Sequence, residues 1–171
     1  VPFEGIKFGL TICEDIWHPG PAARSKAAGA QVLLNLNASP FHRGKQKERV
    51  AHVAACARDN RLAVLYVNQV GGQDELVFDG GSFAVDAYGE ICVQALEFEE
   101  SCAEVVVDTS QQALLAPGHV VDSKTDLAAV WDALVLGLRD YVDKNGFPGV
   151  VLGLSGGIDS AVTLAVATDA L

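Results

Sequence analysis

Two short stretches carry residues able to do covalent or group-transfer chemistry. In Thr11-Ile12-Cys13-Glu14-Asp15-Ile16-Trp17, a cysteine stands where an apolar run meets acidic and turn-forming residues. A side chain at such a junction projects from the carboxyl end of a strand toward a crevice, where open α/β sheets hold their ligands. A free thiol has a pKa of about 8.5, so a nucleophilic Cys13 demands a base or a cation beside it. Glu14, Asp15 and His18 are the near candidates in sequence. In an extended chain Glu14 points away from Cys13. His18, followed by Pro19, reads as a turn residue, and a self-contained Cys13/His18 dyad is not expected. Trp17 reads as packing, and an isolated Cys13 would equally suit a core thiol.

The second stretch has two readings. Gly153-Leu154-Ser155-Gly156-Gly157 spells the G-x-S-x-G elbow of a serine hydrolase, which would make Ser155 a nucleophile and requires a His downstream. The overlapping Ser155-Gly156-Gly157-Ile158-Asp159-Ser160 instead gathers two hydroxyls, unobstructed backbone N–H groups and a helix N-terminus around one spot, which makes an anion site. Neither a G-x-x-x-x-G-K-[ST] loop nor a G-x-G-x-x-G turn occurs. A loop without the Walker lysine suits a β,γ-pyrophosphate held as leaving group while the α-phosphate is attacked, and the expected product is an adenylate. Asp159 could hold Mg²⁺ or touch the nucleotide, and as a first-turn acid it also complements the helix dipole. Ser160 could be a helix-start residue alone.

The elements that must position these residues follow from the apolar pattern. Ile6 to Cys13, Gln31 to Leu36 and Leu62 to Asn68 read as buried strands, Pro19 to Ala30 as a helix, and Lys45 to Asn60 as an amphipathic helix with Val50, Val53, Ala54 and Ala57 on its apolar face. Short strands are expected at Leu76 to Phe78, Ser82 to Asp86, Ile91 to Leu96 and Ala103 to Asp108. The β-α-β-α-β order with a β-rich end predicts a mixed layered sheet with helices packed on it. Residues 111–125, with Pro117-Gly118 and no period, read as a connection. Beyond it Leu127, Val130, Trp131, Leu134, Val135, Leu138, Tyr141 and Val142 form a helical stripe, with Thr125 or Asp126 as N-cap and Gly146 past the end. Val150 to Leu154 then reads as a strand feeding the Gly-rich turn and a helix that starts near Asp159.

Composition narrows the partners. The 171 residues are 50% apolar with a formal charge of −10 and a pI of about 4.6. The acidity argues against duplex nucleic acid and anionic membranes as partners, since both need a basic face, whereas a small anionic substrate accompanied by Mg²⁺ is compatible. No apolar run reaches bilayer length. Cys13, Cys56, Cys92 and Cys102 include no C-x-x-C pair, which argues against zinc, and lack the density of a secreted disulfide scaffold, which points to a reducing cytoplasm; the last three read as buried thiols. The chain begins at Val1 and has no Met, so an internal fragment or trimmed product is expected, with any targeting peptide outside it.

Several stretches together resemble one family. Gly-Leu-Thr-Ile-Cys-Glu-Asp-Ile-Trp at 9–17, Asn35-Leu36-Asn37-Ala38-Ser39-Pro40-Phe41, Gly44-Lys45 and the run from Tyr66 to Glu75 are similar to the nitrilase-type glutaminase domain of glutamine-dependent NAD⁺ synthetases. Ser-Gly-Gly-x-Asp-Ser resembles the motif of the ATP-pyrophosphatase superfamily, shared by NAD⁺, GMP and asparagine synthetases. A nitrilase-like cysteine upstream of that loop points to the NAD⁺ synthetases. The resemblance implies an α/β fold: the C-terminal part of a nitrilase-like αββα sandwich over residues 1–110, a linker at 111–125, and the start of a Rossmann-like ATP-pyrophosphatase domain over 126–171. It implies Cys13 as the nucleophile that takes the glutamyl group as a thioester, with Ser39 and Lys45 at the amino-acid end of glutamine. Arg43, Lys47 and Arg49 complete a basic stretch around Lys45, and each of these three equally suits a solvated helix face. ATP would meet Ser155, Gly156, Gly157, Asp159 and Ser160, with Mg²⁺ at Asp159. The intact enzyme, a homo-oligomer, would amidate nicotinic acid adenine dinucleotide. The family's Glu base and Lys precede the cysteine and do not occur here, so the segment alone is expected to be inactive. A nitrilase-type amidase with an unrelated tail and the Ser155 hydrolase are the alternatives.

Overall fold

The computed structural model describes residues 1–108 and 114–171. The chain runs β1 (Pro2–Phe3), β2 (Ile6–Ile12), a 3-10 turn (Cys13–Trp17), α1 (Pro19–Ala27), β3 (Val32–Asn37), α2 (Lys45–Asn60), β4 (Ala63–Asn68), β5 (Val70–Gln73), β6 (Leu76–Asp79), β7 (Phe83–Val85), β8 (Ile91–Gln94), β9 (Val107–Asp108), β10 (Leu114–Leu115), α3 (Asp126–Lys144) and α4 (Ile158–Ala170). Six strands form one sheet in the order β1-β2-β3-β4-β7-β8. The β2-β3-β4 core is parallel, in register Thr11↔Asn35↔Tyr66. The β7–β8 end is antiparallel.

Alternation along the parallel strands assigns the two faces. Leu33, Val64 and Tyr66 face Ile16, Ala22, Val53 and Ala57 and form the helix-side core. Val32, Ala63, Ala84, Val93 and Leu115 cluster on the opposite face. That second face also carries Leu10, Ile12, Leu36 and Val67, all about half exposed or more. It is the face that a four-layer αββα sandwich covers with a second sheet.

The hairpin β5–β6 stands apart from the main sheet and packs under α3. Phe98, Ala129, Ala133 and Leu136 bury together there, with Phe41, Val70 and Val77 against them. The contact is close because two glycines meet: a Cβ on Gly72 would lie 3.0 Å from the Gly137 Cα. Polar ties add to it. The Asp140 carboxylate accepts from the Gly72 N–H at 2.7 Å, and the Lys144 ammonium donates to the Gly72 carbonyl at 2.5 Å. Thr125 caps α3 with its hydroxyl, which accepts from Ala128 N–H.

Four expectations need correction. The helix α3 buries Ala129, Ala133, Leu136 and Val142, so of the expected stripe only Val142 is buried and Leu127, Leu134 and Tyr141 are exposed, because the face set against the hairpin is the one that carries Ala129, Ala133 and Leu136. Val150 to Leu154 is not a strand: it is exposed and unpaired, since no described strand lies beside it to share a hydrogen-bond ladder. Of Ala103 to Asp108 only Val107–Asp108 is strand, paired with β10. Cys102 lies outside any strand and is exposed, while Cys92 is buried and Cys56 partly so. Burial pushes the Cys56 and Cys92 thiols up and keeps both protonated.

Within the expected connection, residues 111–113 lie outside the described residues. The rest runs along the sheet edge, with Gly118 N–H donating to Cys92 O and Gln94 N–H to His119 O.

Candidate active site

Cys13 terminates β2 with φ +49°, in the left-handed region that non-glycine residues seldom occupy. Such strain at the end of a parallel strand is typical of a side chain held out over a pocket. The turn is pinned by the Asp15 carboxylate, which accepts from the Ile12 N–H at 3.0 Å. The partly buried thiol opens into a cavity of about 330 Å³ that it shares with Glu14, Trp17, Asn37, Ser39 and Lys45. Pro40, Phe41 and His42 close it. Glu14, expected to point away, lines the same cavity, because the chain leaves the extended conformation at Cys13. Among the residues lining this cavity, Glu14 is the only carboxylate and Lys45 the only lysine.

Lys45 reaches the cavity from the first turn of α2. Its ammonium lies 4.8 Å from the Trp17 ring centroid and 3.6 Å from the Glu48 carboxylate. Trp17 is stacked on His52 at 4.3 Å, and the His52 Nε2 faces the Ile16 carbonyl at 3.1 Å. Since a carbonyl only accepts, that nitrogen carries the proton. Trp17 therefore packs, as expected, and also forms the aromatic seat of Lys45.

Ser39 is gripped on every polar atom. Its N–H donates to Asn68 Oδ1 at 2.8 Å, its carbonyl accepts from Arg49 Nη2 at 2.7 Å, and its hydroxyl oxygen accepts from Arg49 Nε at 3.2 Å. With one lone pair taken by Arg49, the Ser39 O–H proton is what the residue has left to offer the cavity. Arg49 is fully buried and forms a 2.8 Å ion pair with Asp79, which is 1% exposed. Gln46 and Pro40 accept from the same guanidinium. Arg43 and Lys47 stay on the surface, each 3.9 Å from Asp126.

Sequence reasoning named Arg49 only as part of a basic stretch that equally suits a solvated helix face, and gave no role to Asp79, Asn68, Asn37 or Tyr66. The signal for Arg49 was its place four residues before Val53 and eight before Ala57, on the buried face of α2. Tyr66 buries its hydroxyl without a hydrogen-bond partner among the described residues. Burial pushes its phenol up, while the nearby Ser39 hydroxyl and Arg49 charge pull it back, so it stays protonated.

The second expected set lies apart from the Cys13 cavity, on the turn into α4. Ser155 Oγ is 3.0 Å from Ser160 Oγ and accepts from the Gly157 N–H at 3.4 Å. Gly156 has φ +84°, and a Cβ there would meet nothing within 4 Å, so the backbone is open to a ligand. Gly157 caps α4, and Asp159 stands exposed in its first turn. Open N–H groups, two hydroxyls and a helix N-terminus fit a polyphosphate. No group of three or more His, Cys, Asp or Glu suited to a metal occurs among the described residues, so a divalent cation at Asp159 would be held largely by the phosphates it accompanies. No helix of the described residues is long and apolar enough to cross a membrane.

Comparison with known proteins agrees with both halves. Residues 2–115 match the carbon-nitrogen hydrolase family and residues 130–171 match NAD synthase. A glutamine-dependent NAD(+) synthetase of Xylella fastidiosa strain Temecula1 is 45% identical over 98% of this chain, which spans 31% of that relative. The structure of glutamine-dependent NAD+ synthetase from Acinetobacter baumannii, in complex with ADP, is similar with a TM-score of 0.95 and 42% identity, over 100% of this chain and 32% of that one. A carbon-nitrogen hydrolase from Helicobacter pylori G27 shares the first part alone, with a TM-score of 0.53 and 27% identity over 57% of this chain and 39% of that one. The chain thus spans about a third of the curated relatives it matches. A strained cysteine over a polar cavity, set in a domain that matches over residues 2–115 of 171 and leads into the start of an NAD synthase domain, places this chain in the carbon-nitrogen hydrolase family.

Proposed function

We propose that this chain supplies the glutamine-cleaving nucleophile and the pyrophosphate loop of a glutamine-dependent NAD⁺ synthetase. The observation that carries the reading is the convergence of Cys13, Ser39 and Lys45 on one cavity, in a chain that also holds an anion cradle at the start of α4. The Lys45 ammonium and the Ser39 O–H complement the α-carboxylate of glutamine, and the Glu14 carboxylate complements its ammonium. The Cys13 thiolate attacks the side-chain carbonyl carbon. The C–N bond breaks, the nitrogen leaves as ammonia with the proton that the family's Glu base took from the thiol, and water later cleaves the thioester to glutamate.

At the second site Ser155, Gly156, Gly157 and Ser160 hold the β,γ-phosphates of ATP, while Asp159 contributes to holding Mg²⁺. The nicotinate carboxylate of nicotinic acid adenine dinucleotide attacks the α-phosphorus and pyrophosphate leaves. Ammonia then displaces AMP to give NAD⁺. Mg²⁺ supplies charge neutralisation for the leaving pyrophosphate. The residues 1–110, 111–125 and 126–171 serve as glutaminase part, linker and synthetase part. We place the protein in the cytoplasm, as an assembly of several copies, with no nucleic-acid or membrane partner, in keeping with its free thiols and net charge.

In the full-length protein, Cys13→Ser should abolish glutamine-driven NAD⁺ formation and spare formation from ammonia, whereas Ser155→Ala should depress both. The 171-residue chain alone, lacking a second carboxylate and lysine at Cys13, should release no glutamate from glutamine. Glutamine-driven activity that survives Cys13→Ser would refute the reading.

A further inference from the structure

His52 stands two turns along α2 from Lys45, on the same face of the helix. Its imidazole stacks on the Trp17 indole, with ring centroids 4.3 Å apart and planes inclined by 24°. Its Nε2 donates to the Ile16 carbonyl at 3.1 Å, so one ring holds the last two residues of the turn that begins at Cys13. His52 does not line the Cys13 cavity. It borders a second cavity of about 270 Å³, and Trp17 lines both. Whatever His52 does for a substrate at Cys13 therefore passes through Trp17.

Trp17 in turn decides where Lys45 sits. An ammonium on a flexible stem takes several positions, and here two partners compete for it. The Glu48 carboxylate lies 3.6 Å away but is 56% exposed, so solvent weakens that pair. The Trp17 ring centroid lies 4.8 Å away, and the Lys45 side chain is only 19% exposed, a setting in which an indole attracts a cation more strongly than in open water. An unsupported indole would turn about its side-chain torsions and carry that seat with it. The His52 stack removes this freedom. We propose that His52 is a positioning residue for glutamine: by stacking on Trp17 it fixes the indole that keeps the Lys45 ammonium at the cavity for the substrate's α-carboxylate. The assignment rests on the glutamine reading of Cys13 and Lys45, and it names a residue outside the cavity that sets the cavity's affinity.

The test measures glutamine-driven and ammonia-driven NAD⁺ formation side by side in the full-length protein. His52→Ala should raise KM for glutamine about fivefold, change kcat by less than about twofold and leave the ammonia-driven rate at the wild-type level. His52→Phe keeps a ring for Trp17 without the N–H and should return KM to within about twofold of wild type. His52→Gln keeps a donor without the ring and should behave as His52→Ala does. In a Lys45→Met background, His52→Ala should lower kcat/KM for glutamine by less than about twofold, because the cation that the stack serves is gone. An unchanged KM in His52→Ala, an equal fall in the glutamine-driven and ammonia-driven rates, recovery in His52→Gln in place of His52→Phe, or a full effect in the Lys45→Met background would each overturn the assignment. Lys45→Met protein that uses glutamine as well as wild type would sink the glutamine reading of Lys45, and the assignment with it.

Discussion

Replacing Arg49 with methionine keeps most of the aliphatic volume of the side chain and removes its charge. The structure sets the cost. Asp79, buried to 1% exposure and held by Arg49 at 2.8 Å, would keep a carboxylate with no cation beside it. The Ser39 carbonyl and hydroxyl and the Pro40 carbonyl would lose donors in the same step. Stripping one partner from a buried ion pair costs about 3–5 kcal/mol. With an m-value of about 2 kcal/mol/M in urea, the unfolding midpoint should fall by about 1.5–2.5 M. A second change, Asp79→Leu, removes the stranded charge, so the double variant should be more stable than Arg49→Met alone, a non-additivity of about 1–3 kcal/mol. The assay is urea unfolding of the full-length protein at pH 7, followed by tryptophan fluorescence, with the KM for glutamine measured alongside because Ser39 loses its anchor. An Arg49→Met midpoint within about 0.5 M of wild type, equivalent to about 1 kcal/mol, would refute the reasoning.

Three other outcomes follow from the same kind of bookkeeping. Burial pushes the Glu97 carboxyl up from its ordinary value of about 4.5, and the Asp79 charge adds to this against the Ser123 hydroxyl and the backbone and charge of Lys124. A raised carboxyl contributes stability below the unfolded value that is lost as pH rises through the folded one. Glu97→Gln should therefore gain over wild type at pH 7 and lose that gain near pH 4, as a pH series of thermal melts would show. Tyr66→Phe removes a buried hydroxyl with no partner among the described residues and should raise stability by about 1 kcal/mol, while a loss of that size would reveal a partner for the phenol in solution. Asp140→Ala deletes the acceptor of the Gly72 N–H and should cost about 1.5–3 kcal/mol, with α3 cleaved sooner in limited proteolysis.

What the sequence made legible was whatever one segment decides alone. The helix Lys45–Asn60 has the expected bounds, because charges oppose Val53, Ala54 and Ala57 within a single stretch. The three parallel strands were legible as apolar runs bounded by breakers. Cys13 and Ser39 stood out through motif resemblance, and the structure puts them on one cavity. Features that depend on a remote partner were not legible. Arg49 looks like one more surface cation until Asp79, thirty residues away, is placed beside it. Glu14 was read from an extended chain, and one positive φ at Cys13 redirects it. Val150–Leu154 has the composition of a strand, but strand formation needs a neighbouring edge.

The hairpin β5–β6 has only two strands and borrows its support from elsewhere, since a lone hairpin is marginal in water. On one flank Gly72 is gripped by α3, and on the other Asp79 balances the guanidinium that seats Ser39. A protein engineer who severs this chain between Pro117 and Thr125, hoping to harvest an autonomous front half, would also withdraw the prop that steadies its pocket. The useful cut lies beyond Lys144, with the third helix kept as part of the piece that comes before it.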